Sequence, residues 1–191
     1  MLCQFLSHEV NLRTDEYGGS LENRSRLLNE IIDGIRANCR EDFMLGVRLS
    51  SERFGILLGE SKELAQSLMT SGKIDFLDMS LWDVFKEPQE EEFKGKTLIE
   101  HFVELERGNT RLGVAGSIRT PQDATRAMEE GVDWVMIGRG AILHHNFPLL
   151  YEDNPEFTPS EIPVTADYLA NEGLSKKFID YMSNWGFVEK A

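Results

Sequence analysis

The stretch Gly113–Arg139 constrains this chain most. It reads as a strand, a glycine turn, a helix, a second strand and a second glycine turn. The first turn is Gly116-Ser117-Ile118-Arg119-Thr120-Pro121 and the second is Gly138-Arg139-Gly140. A strand that passes through one helix into the next strand requires parallel pairing, hence an α/β fold. Both strands end in glycine, and the second glycine is followed at once by an arginine. Such turns present bare backbone N–H groups, a helix N-terminus and a fixed cation, a donor set suited to a phosphate. A lone Gly-Ser turn most often only reverses the chain; its repetition one strand later points to a ligand.

The preceding residues show the same alternation. Ser20 caps a helix whose apolar stripe is Leu27, Leu28, Ile31, Ile32 and Ile35. A strand follows at Phe43–Ser50. Its odd positions, Phe43, Leu45, Val47 and Leu49, are expected against covering helices, and Met44, Gly46 and Arg48 toward a barrel interior. Leu64, Ala65, Leu68 and Met69 mark another amphipathic helix, and Phe76–Ser80 a second strand. The long loop Leu81–Lys96, with Pro88 and the acidic run Glu90–Glu92, then lies at a strand's carboxyl end, where barrel enzymes place active-site loops. A helix near Thr97–Glu106 leads to the strand Leu112–Ala115. Thr120-Pro121-Gln122-Asp123 starts the next helix, Gly131 ends it, and Asp133–Ile137 is the last strand. Met1–Ser20 reads as loop, and the tail from Asn146 carries a short helix around Ser175–Trp185.

The count is four strands, half of an eight-stranded (β/α) barrel. A phosphate site after the last two strands is the habit of that barrel. An open flavodoxin-like sheet is the alternative, although its phosphate loop normally follows the first strand. We therefore expect strands 5–8 of a TIM barrel over residues 1–148, with 149–191 as a tail packing on it.

Composition narrows the partners. The formal charge of −13 over 191 residues argues against nucleic acid or an anionic membrane, so a bound phosphate would need locally concentrated positive charge. The only cysteines, Cys3 and Cys39, have no metal-ligand spacing, so no metal site is expected and a reduced, cytoplasmic setting is. No apolar run approaches the roughly 18 residues of a membrane span, and the N-terminus lacks the pattern of a signal peptide.

Among single residues Arg48 is the sharpest. A guanidinium on the inner face of a parallel strand needs an anion or carbonyl ligand, or else an ion pair with a carboxylate such as Asp78 on the next strand. Gly116, Ser117, Gly138 and Arg139 form the candidate phosphate site. Asp78 and Ser80 read as a polar packing layer, Trp82 as a lid or substrate contact, and Glu90–Glu92 as a solvated face. His144 and His145 read as surface residues; His8 and His101 carry no metal or triad spacing. No nucleophile-and-base arrangement is legible, so no catalytic residue is assigned.

The runs Gln4-Phe5-Leu6-Ser7 and Asn11-Leu12-Arg13-Thr14-Asp15-Glu16-Tyr17-Gly18-Gly19-Ser20-Leu21-Glu22-Asn23-Arg24 resemble the signature of the old yellow enzyme family. Val47-Arg48-Leu49-Ser50, Ala115-Gly116-Ser117-Ile118 and Ile137-Gly138-Arg139 follow in the family's order. The resemblance covers Met1 to Pro148. It implies FMN at the carboxyl-end mouth of an eight-stranded barrel, NAD(P)H as reductant and a small-molecule acceptor such as an activated alkene. It further implies that Arg48 contacts the flavin's pyrimidine edge, that Gly116, Ser117, Gly138 and Arg139 cradle the phosphate, and that Asn11–Arg24 is structural. His8 stands where the family usually has proline. The family's substrate-binding histidine pair and proton-donating tyrosine precede the Gln-Phe-Leu-Ser run, so they would lie upstream of Met1. The resemblance is thus to the carboxyl-terminal half, which alone is expected to show no turnover. Such a half is expected to associate with an amino-terminal half or with itself through exposed strand edges. A non-catalytic phosphate- or FMN-binding half-barrel is the competing reading.

Overall fold

The computed structural model describes residues 2–189; Met1, Lys190 and Ala191 lie outside them. Four strands, β1 (Gly46–Ser50), β2 (Phe76–Trp82), β3 (Arg111–Gly116) and β4 (Trp134–Met136), form one parallel sheet in the order β1-β2-β3-β4. Consecutive order with helical connections is half of a (β/α)8 barrel, as the alternation of elements predicts.

Side-chain alternation gives the sheet two unlike faces. Val47 pairs with Leu77 and Leu77 with Leu112, while Leu49 pairs with Met79 and Met79 with Val114. All of these are buried. The opposite face carries Gly46, Arg48, Phe76, Asp78, Gly113, Trp134 and Met136. On it the Phe76 ring covers Gly46 of the neighbouring strand, and the Trp134 indole covers Gly113. A side chain at either glycine would collide with the ring. The two aromatics meet edge to face, with centroids 5.5 Å apart.

The helices are α1 (Leu2–Leu6), α2 (Leu21–Asn38), α3 (Leu58–Thr70), α4 (Leu98–Val103), α5 (Pro121–Glu129), α6 (Arg139–Leu143), α7 (Phe147–Asp153), α8 (Ala166–Asn171) and α9 (Lys176–Ser183). Ser20 caps α2 by accepting from the Asn23 N–H at 3.3 Å. At the start of α5 the Asp123 carboxylate accepts from the N–H groups of Arg119 and Thr120, each at 3.0 Å. The Asp123 N–H in turn donates to the Thr120 hydroxyl at 3.1 Å.

Several local expectations change. α1 occupies part of the segment read as loop, because five residues are too few to display a helical period. β1 begins at Gly46, and Phe43, expected against helices, is exposed along with Met44. α6 begins within the segment read as the second glycine turn, and α7 and α8 are short helices in the tail from Asn146, where only one short helix is expected.

The chain divides into two compact units. One comprises the residues up to Gly116 together with Ala127–Met136; the other comprises Ser117–Arg126 and the chain from Ile137 onward. The first holds the whole sheet. The second has its own apolar core of Leu143, Val164, Leu169, Ile179, Met182 and Phe187.

Candidate functional site

In the first unit, Arg48 stands on the open face of β1. One guanidinium nitrogen, Nη1, lies 3.3 Å from Asp78 Oδ2, and Nη2 donates to the Ser80 hydroxyl at 3.2 Å. Strand register dictates this, since Arg48 is paired with Asp78 on β2. The ion pair that the sequence allowed is therefore present, yet it does not sequester the arginine. Its side chain is 52% exposed while that of Asp78 is 7% exposed. Burial pushes the Asp78 carboxyl above its ordinary value of 3.8, and Arg48 opposes the shift. Among the described residues Asp78 Oδ1 has no hydrogen-bond partner. The arrangement fixes the direction of a cation that still reaches solvent.

Gly116 ends β3, and its surroundings explain the residue type. Its φ of +150° is unfavourable for other residues, and a Cβ there would come 2.8 Å from the backbone N and C of Trp82. Trp82 itself has a φ of +65° and sits at the centre of a tight turn in which the Asp83 N–H donates to the Leu81 carbonyl at 2.7 Å. The Val84 N–H then donates to the Gly116 carbonyl at 3.2 Å. Glycine at this position thus accommodates a neighbouring strand end.

In the second unit, Ser117 has a φ of +53°. Gly138 precedes α6, and Arg139 is the first residue of that helix. A Cβ at Gly138 would meet nothing within 4 Å. A cavity of about 390 Å³ is lined by Arg119, Thr120, Arg139, Gly140, Ser160 and Glu161, among others. Arg119 and Arg139 are both exposed, and among the described residues neither enters an ion pair. Two guanidiniums against one carboxylate, Glu161, on this concavity concentrate positive charge locally in a chain with net charge −13. Hydroxyls, guanidiniums and the open space at Gly138 fit a phosphate.

Of the residues singled out in the sequence, Arg48 and Gly116 belong to the first unit, and Ser117, Gly138 and Arg139 to the second. Arg119 was not assigned to the site. Its signal was its position in the turn that begins at Gly116-Ser117.

Other residues resolve as structure. His144 is half-buried, accepts from the Ser160 N–H at 2.9 Å and packs edge to face on Phe157; burial holds its pKa down. His101 is buried, with Nε2 2.8 Å from the Phe93 carbonyl. Glu90, expected to be solvated, accepts from the Leu58 N–H at the start of α3, a donor that no residue of the helix can satisfy. Asn11 donates to the carbonyls of Phe5 and Tyr17, both at 2.7 Å. Arg24 is buried and donates to the carbonyls of Leu6 and Gly19. Among the described residues no group of three or more metal-ligating side chains gathers, and no helix is long and apolar enough to cross a membrane.

The chain is similar in sequence and in fold to known flavin oxidoreductases. The sequence pattern of the NADH:flavin oxidoreductase / NADH oxidase family matches residues 1–154. An NADH oxidase of Thermoanaerobacter brockii is 31% identical over 157 residues, which is 78% of this chain and 24% of that protein. A probable NADH-dependent flavin oxidoreductase of Bacillus subtilis (strain 168) is 28% identical over 82% of this chain and 44% of its own length. The structure of morphinone reductase in complex with tetrahydroNAD aligns with a TM-score of 0.62 and 25% identity, over 88% of this chain and 44% of that one. The chain therefore spans less than half the length of these relatives.

Proposed function

Because the chain belongs to the NADH:flavin oxidoreductase / NADH oxidase family, we propose that it serves FMN-dependent hydride transfer of the old yellow enzyme type. The donor is NAD(P)H and the acceptor an activated alkene or similarly electron-poor small molecule. FMN, when bound, supplies the redox chemistry of accepting and delivering hydride.

The chain's own residues bind and polarise. Arg139, with the N–H groups of Gly138 and Ser117, holds the phosphate, and Arg119 adds a second guanidinium. Arg48, oriented by Asp78 and Ser80, sets positive charge against the pyrimidine edge and favours negative charge there. No residue of this chain is assigned as proton donor or nucleophile. The proposed setting is the cytoplasm.

The observation that carries the reading is the pair Arg119 and Arg139 lining one cavity, neither of them in an ion pair among the described residues. It is tested by titrating FMN and following flavin fluorescence. Arg139→Ala is expected to weaken binding at least tenfold, the loss of one charge-assisted phosphate contact. Equal, negligible binding by wild type and variant would overturn the phosphate site.

We expect no NAD(P)H turnover from the 191-residue chain alone, since the histidine pair and tyrosine implied by the family resemblance are not assigned among its residues. The competing, non-catalytic reading is favoured by one observation: the outer edges of β1 and β4 have no strand partner among the described residues. An amino-terminal half-barrel or a second copy would pair with them.

A further inference from the structure

At the carboxyl ends of β1 and β2, three side chains that the flavin reading leaves unused come together. The Arg53 guanidinium carbon lies 3.8 Å from the centroid of Trp82 and 5.8 Å from that of Phe54. Both aromatics are exposed, at 57% for Trp82 and 66% for Phe54. Both also have left-handed backbones, with φ of +65° and +62°. For bulky residues this conformation is costly and persists only where the surroundings enforce it.

For Trp82 the surroundings enforce it. At Trp82 the turn closed between Leu81 and Asp83 and the close approach of Gly116 hold the backbone. Beside Arg53, the Glu52 carboxylate is buried; one of its oxygens pairs with Lys86, and the other accepts from the Gln89 N–H at 2.8 Å. Burying these two rings in the core would have been the ordinary use of their apolar surface. Instead both rings stay in solvent, with the Arg53 guanidinium carbon close over the Trp82 ring. Among the described residues Arg53 enters no ion pair, although Glu9, Glu52 and Glu90 line the same concavity.

A guanidinium lying on an indole presents its N–H edges outward while the stack fixes its plane. Such an edge matches a carboxylate, and the adjoining exposed ring of Phe54 matches a flat apolar body. We propose that Arg53, Trp82 and Phe54 form a subsite for a planar aryl or conjugated carboxylate, the acceptor class that this chain would select. The inference deepens the flavin reading and rests on it in one respect: the strands' carboxyl ends are where an acceptor would meet the cofactor.

The test follows the Trp82 indole N–H by NMR in the full-length chain, its signal identified by its absence in Trp82→Phe. Benzoate provides charge and ring, benzamide the ring alone, and acetate the charge alone. Benzoate is expected to move the signal saturably, with an affinity at least about fivefold above either control, as a solvent-accessible cation–π and ion-pair site would give. Arg53→Met is expected to erase that advantage. Equal binding of benzoate and benzamide, equal binding of benzoate and acetate, or benzoate binding unchanged in Arg53→Met would overturn the proposal. If Arg53→Met fails to fold, the three-ligand contrast on wild type decides. FMN titrated in parallel separates the two readings: Arg53→Met is expected to leave FMN affinity unchanged, whereas Arg139→Ala weakens it. Failure of wild type to bind FMN counts against the flavin reading, and the benzoate contrast still decides the subsite.

Discussion

Asp78 shows how one buried carboxylate can link the sheet to the site. Its desolvation outweighs the attraction of Arg48, so its folded-state pKa lies above the unfolded value of 3.8. A raised carboxyl pKa means that the folded state holds the proton more tightly. The associated stability is fully present below 3.8 and is lost as pH rises through the folded pKa. Asp78→Asn is therefore expected to flatten the pH dependence of stability above 3.8, measured as the urea midpoint across a pH series. Gly116 offers a second test at this scale. Gly116→Ala places a Cβ 2.8 Å from the Trp82 backbone at a φ of +150°. It is expected to cost about 1–3 kcal/mol by the same denaturation measurement, independent of any ligand. That Arg48 would meet either a ligand or a carboxylate such as Asp78 could be posed from alternation alone. That it pairs with Asp78 and still reaches solvent needed the register of β1 on β2, which no local pattern specifies.

Among the elements, the Asn11–Arg24 segment is where sequence signature becomes architecture. Arg24 extends from α2 to the carbonyl of Leu6 in α1 and to Glu60 in α3, with its side chain only 3% exposed. Glu60 Oε2 already lacks a partner, so removal of the guanidinium would leave a largely buried carboxylate without its cation. Arg24→Met is expected to destabilise the fold by about 3–5 kcal/mol, read as a shift in the chemical denaturation midpoint. The capped helices α2 and α5 and the alternating strands were legible because caps and periods act over a few residues. α1, α6, α7 and α8 were not. At five to seven residues each, they show less than two full turns of pattern and depend on tertiary contacts to form. Glu90 was missed for a related reason: its service to α3 runs over 32 residues of chain.

For the whole molecule, the decisive feature is the half-barrel sheet. Its outer strands β1 and β4 lack partners among the described residues, and Met44 and Met136 remain 72% and 40% exposed. Open strand edges beside exposed apolar side chains favour pairing with another chain. The purified protein is expected to self-associate with rising concentration, measured by sedimentation velocity, and to do so more strongly at high salt, which screens its charge of −13. A concentration-independent monomer would count against edge pairing. By itself the sequence determined the parallel α/β class, the four strands, the family signature and the two glycine turns. These are encoded in residues close in the chain, where sterics and hydrogen bonding act locally. Only the tertiary structure decided that Asp78 and Ser80 hold Arg48, that Arg119 joins Arg139, that Gly116 yields to Trp82, and that Arg53 stacks on that indole. Each of these depends on distances between segments remote in sequence, set by strand register and packing rather than by any local preference.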